Sequence, residues 1–185
     1  MEASLRDLVL FVHIAAAAVL VGTSVITPMI GRRIASAPTR GELVSWLEAF
    51  GLVTRANPLF ALVLLASGVW LGSAGWWSQG WFAVSVAAWI LSAGLAGGLV
   101  KPAATRVAAA AAANIDAPID AELDALRHDR RWHAAERSLL ASDVAILWIM
   151  IAKPDLVPSI AILAVAIAML AGGPMLLPRF STSAS

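Results

Sequence analysis

The stretch "LFVHIAAAAVLVGTSVITPMIGRR", residues 10–33, decides the class of fold. It is almost entirely apolar, yet it holds a histidine, His13, near its start and ends on Arg32 and Arg33. An α-helix rises about 1.5 Å per residue, so roughly 20 apolar residues cross about 30 Å of hydrocarbon. The stretch therefore predicts a transmembrane helix with an ionisable side chain inside the membrane.

The composition of the whole chain agrees with this prediction. Of its 185 residues, 60% are hydrophobic and 14% are charged, whereas soluble domains carry roughly 25% charged residues. An ordinary soluble domain is therefore excluded, and the expected partner is the lipid bilayer. The net charge of +1 supplies no basic excess for a nucleic-acid partner. The absence of cysteine excludes disulfides and cysteine metal sites.

Apolar runs of sufficient length recur along the chain. They predict an all-α, polytopic transmembrane helix bundle with a four-helix core and a fifth C-terminal span, in a single integral membrane domain over residues 1–185. Between the third and fourth spans, residues 101–136 predict a cytoplasmic helical loop. The five predicted spans lie near residues 5–31, 56–75, 80–100, 137–153 and 157–177.

The distribution of Lys and Arg predicts the orientation. If the spans alternate in direction, one side of the membrane holds ten basic residues and the other holds only Arg6 and Lys153, with Arg55 considered separately below. The basic side is the cytoplasmic side in most membrane proteins. We therefore expect a multi-pass protein of the cell membrane with its N-terminus outside and its C-terminus in the cytoplasm. Trp76, Trp77 and Trp81 then predict an aromatic belt at the outer interface.

His13 lies about 12 Å inside the outer boundary of the first span. Ionisable side chains at such depth usually face the bundle interior or a cavity. Half of the residues that share its helical stripe are polar, so the stripe is expected to face protein. Its members are His13, Ala17, Leu20, Ser24, Thr27 and Gly31.

Two further ionisable residues lie near the cytoplasmic ends of their spans. Asp143 is inside the fourth span, and Arg55 follows an amphipathic helix and precedes the second span. Arg55 either reaches the lipid headgroups by snorkelling or forms an ion pair with Asp143. Asp143 either bonds to a hydroxyl or carbonyl group, pairs with Arg55, or serves as a proton site.

Other polar and small residues give weaker indications. His128 and His133 are five residues apart, and tetrahedral sites need three or four convergent ligands, so no metal site is predicted. Gly94 and Gly98 in the third span are suited to close helix packing, either within one chain or in a homo-oligomer.

His13 supports three interpretations from sequence. Its imidazole can bond across helices as a packing element, it can donate a nitrogen to haem iron or copper, or it can relay protons or bind a cation together with Asp143. The favoured interpretation is a non-enzymatic membrane protein with an outward-facing polar pocket around His13. No catalytic residue can be identified, and no cofactor is fixed by the sequence.

Three stretches carry a resemblance to a known group: "FVHIAAAAVLVG" followed by Pro28, "NPLFALVLLASGVWL" and "AILWIMIAKPDL". Over residues 7–154 the chain resembles small bacterial integral membrane proteins grouped as a domain of unknown function. Their layout is similar to HemJ-type protoporphyrinogen oxidases and to the copper resistance D membrane domain. This resemblance implies that haem b is a possible cofactor and that His13 is the position for its ligand.

The chain departs from the HemJ-type pattern at two places. Those enzymes have a lysine four residues after the tryptophan of the third helix, and here Ser85 follows Trp81 at that spacing. Their Asn-Glu-x-Pro element is missing from the fourth helix, where "ASDVAI" offers only Asp143. The resemblance therefore does not extend to residues associated with porphyrinogen oxidation.

Overall fold

The computed structural model describes residues 4–73 and 75–176. That part of the chain is helical and contains no strand, so the predicted all-α membrane helix bundle is confirmed. A 3₁₀ turn lies at Trp76–Ser78 and a π-helical turn at Ala96–Val100. The α-helices are α1 Leu5–Ser36, α2 Arg40–Thr54, α3 Asn57–Gly72, α4 Gly80–Leu95, α5 Lys101–Ala112, α6 Ala121–Arg127, α7 Arg130–Ala152 and α8 Leu156–Leu176.

Local sequence signals set several of the helix starts. The Ser4 hydroxyl accepts from the Asp7 backbone N–H at 3.2 Å, and the Asp7 carboxylate accepts from the Ser4 N–H at 3.0 Å. This reciprocal capping box begins α1. Three other helices begin with a simpler cap, in which a side-chain oxygen accepts a backbone N–H. These caps are Thr39 for α2, Asp120 for α6 and Asp129 for α7.

In the part of the chain that the structure describes, three helical stretches are long and apolar enough to cross a membrane: Leu5–Ser36, Arg40–Gly72 and Gly80–Ala112. The second stretch consists of α2 and α3, and the third consists of α4 and α5. Each pair is continuous because the residues that connect its two helices keep helical backbone angles. The helices thus run past the predicted span ends at residues 31 and 100. The fourth and fifth spans, on α7 and α8, stay predictions.

The segment predicted as a cytoplasmic loop, residues 101–136, forms a core with the ends of α1 and α2. We call this end of the bundle, with Arg32, Arg33 and Arg40, the basic end. Buried apolar side chains of α1, α2, α5, α6 and α7 meet there. The buried residues of this basic-end core are Ile30, Ile34, Ala37, Leu43, Leu47, Phe50, Val100, Ala103, Ala104, Val107, Ala111, Leu123, Trp132 and Ala135.

A buried arginine fastens the connection between α5 and α6 to this core. Arg40 is only 5% exposed. Its guanidinium donates to the Ala110 carbonyl at 2.7 Å, the Pro118 carbonyl at 3.0 Å and the Asp120 carboxylate at 2.6 Å. Because all three contacts lie beyond residue 100, the loop is folded onto α2 instead of extending freely.

Helix α7 occupies the centre of the bundle. It packs against α1 on one side and against α4 and α8 on the other, while α1 also packs against α3. At the opposite end from the basic end, which we call the tryptophan end, Trp81, Phe82, Val84 and Ile149 form a second, smaller core. The candidate site lies along the contact between α1 and α7.

Candidate functional site

Helices α1 and α7 meet along a line of contacts that we call the α1–α7 seam. Near its middle, the Ser24 hydroxyl donates to the Asp143 carboxylate. One heptad closer to the basic end, a methyl group on Gly31 would lie 2.8 Å from Glu136 Oε2. Both helices advance seven residues between the two contacts, in opposite directions along the chain. Residues seven apart share a helix face, so both carboxyls point into one seam.

Glu136 is buried at the basic end of the seam, with 2% of its surface exposed. Its Oε2 lies 3.4 Å from His133 Nδ1, and His133 Nε2 lies 2.9 Å from the Arg127 carbonyl. The carbonyl can only accept, so Nε2 carries a proton in this contact. The Nδ1–Oε2 contact then needs one shared proton, held either by the imidazole or by the carboxyl.

The two groups have shifted protonation equilibria, and both lie outside the predicted fourth span at residues 137–153. Burial raises the pKa of the Glu136 carboxyl above its ordinary value of 4.5. The contact with Glu136 raises the pKa of the His133 imidazole above 6.5. Both shifts favour retention of a proton by the pair.

Within residues 4–73 and 75–176, three buried polar atoms near this pair have no hydrogen-bond partner: Glu136 Oε1, Trp132 Nε1 and Arg137 Nε. The Trp132 ring also stacks on the His133 ring at a centroid distance of 5.2 Å. Buried polar groups usually find a partner in protein or ordered water. An acceptor and two donors so close in sequence on one helix make a site suited to ordered water.

His13 lies on the same stripe of α1 but contacts α3. Its Nδ1 is 2.9 Å from the Ser67 hydroxyl, which donates to the Val63 carbonyl at 2.6 Å. Because that hydroxyl proton is used, His13 Nδ1–H is the donor and Nε2 keeps its lone pair. A methyl group on Gly68 would lie 3.2 Å from His13 Cε1, so the imidazole packs closely on α3.

The predicted stripe therefore faces protein, but it does not bring all its members to one place. His13 and Asp143 do not meet, because His13 is about 16 Å along α1 from Ser24, the partner of Asp143. The seam contacts place Ala152, the last residue of α7, level with about residue 15 of α1. His13 contacts Ser67 of α3 instead. Thr27 is buried on the stripe between the two seam contacts.

Arg55 is exposed at the junction of α2 and α3. Among the ion pairs of residues 4–73 and 75–176, none joins Arg55 to Asp143. Helix order accounts for this, because α1 packs against both α3 and α7. Asp143 has the hydroxyl bond to Ser24, which is one of the alternatives that the sequence leaves open.

The outward-facing pocket expected around His13 stays a prediction. Two surface depressions lie at the basic end, one beside Pro38 and Pro118 and the other beside Met29 and Arg33. Within the same residues, no group of three His, Cys, Asp or Glu side chains could hold a metal ion.

Two features of the site are missed by the sequence interpretation. Glu136 is assigned to a loop, although its heptad spacing from Asp143 matches the spacing of Gly31 from Ser24. Trp81 is assigned to an aromatic belt, but it is buried at 4% exposure. Lys153 Nζ lies 5.2 Å from the Trp76 ring centroid and 5.6 Å from that of Trp81. Trp81 thus belongs to a packed cation–π cluster.

The family of the chain follows from its match to a family model. The model described as "Predicted integral membrane protein (DUF2269)" matches residues 7–154. The chain belongs to this family. The match covers the chain from α1 to the end of α7 and confirms the predicted resemblance to an integral membrane family of unknown function. The likeness of this DUF2269 member to HemJ-type and copper resistance D proteins stays a prediction. No curated protein and no solved structure matches the chain.

Proposed function

We propose that this DUF2269 member is a non-enzymatic, multi-pass cell-membrane protein that moves protons along the α1–α7 seam. The N-terminus lies outside and the basic end lies in the cytoplasm. One observation carries the proposal: Asp143 and Glu136 point from one face of α7 into the same interface, about 10 Å apart along the helix.

The surroundings of Asp143 support a role in proton transfer. Among the described residues, its side-chain contact is the Ser24 hydroxyl, and no cation lies within ion-pair distance. Carboxyls inside membrane helices are costly, and they commonly mark proton or ion pathways. A carboxyl with a hydroxyl partner can gain or lose a proton without breaking an ion pair.

The Glu136–His133 pair supplies the cytoplasmic end of the proposed pathway. It holds a shared proton, and the unpartnered atoms of Trp132 and Arg137 offer contacts for water. Because the raised pKa values of both groups favour proton retention, the pair is suited to exchange a proton with the cytoplasm near neutral pH. His13 lies outside this seam and is not needed for the transfer.

Proton flux into proteoliposomes that contain a trapped pH-sensitive dye tests this function. Asp143→Asn keeps an acceptor for Ser24 but cannot carry a proton, so we expect at least a tenfold loss of flux. Glu48→Gln is the matched control, because Glu48 is exposed on α2 and its charge is also removed. Equal flux for the wild type, Asp143→Asn and empty liposomes would overturn the proposal.

Haem binding is the second candidate, and the tautomer of His13 favours it. The Ser67 contact fixes the proton on Nδ1 and leaves Nε2 as the nitrogen able to ligate iron. His13 would hold the iron through Nε2, and haem would supply one-electron chemistry there. A haem absorbance in purified protein that disappears in His13→Ala would support this candidate. A colourless, folded wild type produced with haem precursor would remove it.

A homo-oligomer through Gly94 and Gly98 is also part of the proposal. Both glycines are exposed, and a methyl group on either would meet nothing within 4 Å. The space beside them is therefore open to a second copy. Because the chain has no cysteine, Gly98→Cys can report the contact by disulfide cross-linking in membranes. Leu62→Cys, exposed on α3, is the control.

A further inference from the structure

Two exposed arginines of α1 lie at the basic end, where the apolar part of the helix ends. Residues 8–31 contain no Asp, Glu, Lys or Arg, and they span about 36 Å of helix. Arg32 and Arg33 are the first charged residues after this stretch, and both are exposed. They therefore lie at the depth of lipid headgroups if α1 spans the membrane.

These two arginines line a surface depression together with Met29 and Ser36. Among residues 4–73 and 75–176, no carboxylate lies within ion-pair distance of either guanidinium. The depression therefore presents two uncompensated positive charges. Met29, one turn closer to the membrane centre, is 63% exposed and adds an apolar wall beside them.

The guanidinium of Arg33 is held in position by its surroundings. It lies over the ring of Trp46, 5.9 Å from the ring centroid. The Trp46 Nε1–H in turn donates to the Glu42 carboxylate at 3.3 Å. A guanidinium placed in advance by a cation–π contact loses less side-chain entropy when it binds an anion.

The face of α1 above the arginines is suited to an acyl chain. Met29, Val25, Gly22 and Ala18 follow one another at spacings of three or four residues, so they form one stripe. A methyl group on Gly22 would meet nothing within 4 Å, and Val25 and Met29 are exposed. The stripe ends at the two positive charges, as the acyl chain of a lipid ends at its headgroup.

We propose that the depression formed by Met29, Arg32, Arg33 and Ser36 binds the phosphate headgroup of an anionic phospholipid, with one acyl chain along the α1 stripe. The arginine pair supplies bidentate donors for the phosphate oxygens. This site lies on the opposite side of α1 from the seam, where Thr27, Ile30 and Gly31 are buried. It is therefore independent of the proposed proton pathway.

The thermal stability of delipidated protein in detergent tests the site. Phosphatidylglycerol is expected to raise the melting temperature of the wild type by about 5 °C. Phosphatidylcholine and inorganic phosphate are expected to leave it unchanged. The double variant Arg32→Gln/Arg33→Gln should lose the shift. Arg130→Gln/Arg131→Gln is the matched control, because it removes the same charge from exposed positions at the same end and should keep the shift.

A second variant keeps the test decisive if the glutamine pair does not fold. Ser36→Glu retains both arginines but places a carboxylate three and four residues after them, where it pairs with their guanidinia. It should also lose the shift caused by phosphatidylglycerol. An unchanged shift in Ser36→Glu and in the Arg32/Arg33 variant, an equal loss in the Arg130/Arg131 variant, or the same shift with inorganic phosphate alone would overturn the proposal.

Discussion

At the basic end, Trp132, Leu43 and Val107 are buried in an apolar core. In the middle of the bundle, by contrast, hydroxyl groups form hydrogen bonds between the helices. There the buried Ser92 and Ser142 hydroxyls bond between α4 and α7 at 2.9 Å. The difference is the one expected if the basic end lies in water and the middle of the bundle lies in lipid. Water drives apolar side chains together, but lipid tails are as apolar as leucine, so helices in lipid associate through close packing and polar contacts.

This comparison explains why the α1–α7 seam combines glycine and carboxyl groups. Gly31 leaves room for the Glu136 carboxyl where the apolar core ends, and that carboxyl fills the space beside it. Asp143 lies one heptad further into the apolar half and contacts Ser24. The seam thus crosses from a region stabilised by burial to one stabilised by polar bonds, and both carboxyls lie along that crossing.

The largest expected effect is the loss of Trp132 from the basic-end core. Trp132 is 1% exposed and contacts Phe50 edge to face at 6.2 Å. Trp132→Ala should lower the free energy of unfolding by about 3–5 kcal/mol. Trp148→Ala is the control, because Trp148 is 58% exposed on the same helix. Denaturant unfolding in detergent measures both, and equal losses would contradict the two-environment comparison.

A smaller effect is expected at Gly31, where the two environments meet. The methyl group of Gly31→Ala would contact Glu136 Oε2 at 2.8 Å, whereas a methyl group on Gly22 meets nothing within 4 Å. We expect Gly31→Ala to be less stable than Gly22→Ala by about 1–2 kcal/mol. Thermal unfolding of the two variants gives the difference directly. If Gly31→Ala is the more stable variant, the close contact between Gly31 of α1 and Glu136 of α7 is wrong.

The pH dependence of stability should come from the basic end. The folded-state pKa values of Glu136 and His133 lie above the ordinary values of 4.5 and 6.5. Their contribution is therefore complete below those values and is lost as the pH rises through the folded-state pKa values. The melting temperature should fall as the pH rises above 6.5.

The imidazole part of this dependence can be isolated by substitution. His133→Gln removes its titration and should flatten the fall in melting temperature above pH 6.5. His128→Gln is the control, because it removes an imidazole that does not contact Glu136 in the described residues. A wild type that becomes more stable as the pH rises would show that the Glu136–His133 interaction has the opposite sign.

The smallest effect is expected from a single hydroxyl contact in the middle of the bundle. Ser92→Ala removes the bond to Ser142, and interhelical bonds in membranes contribute about 0.6 kcal/mol on average. A double-mutant cycle with Ser142→Ala should give a coupling energy of that size. A coupling as large as the Trp132→Ala effect would show that polar bonds, and not burial, dominate both halves.

The sequence predicts where the helices lie, but it does not predict which helices pack against one another. The predicted start of the first span at residue 5 is the start of α1, because Ser4 and Asp7 form a local capping signal. The amphipathic helix before Arg55 is observed as α2. The pairing of Arg55 with Asp143, by contrast, depends on which helices are neighbours. Residue spacing gives no information on that order.

The sequence by itself determined an all-α membrane protein, its family and the polar stripe from His13 to Gly31. These properties follow from composition and from the period of the helix, which are local. Only the tertiary structure decided that His13 packs on Ser67 of α3 and that Ser24 and Gly31 meet Asp143 and Glu136 of α7. The reason is physical: a helix face fixes which side chains point together, but the length and order of the neighbouring helices fix what they touch.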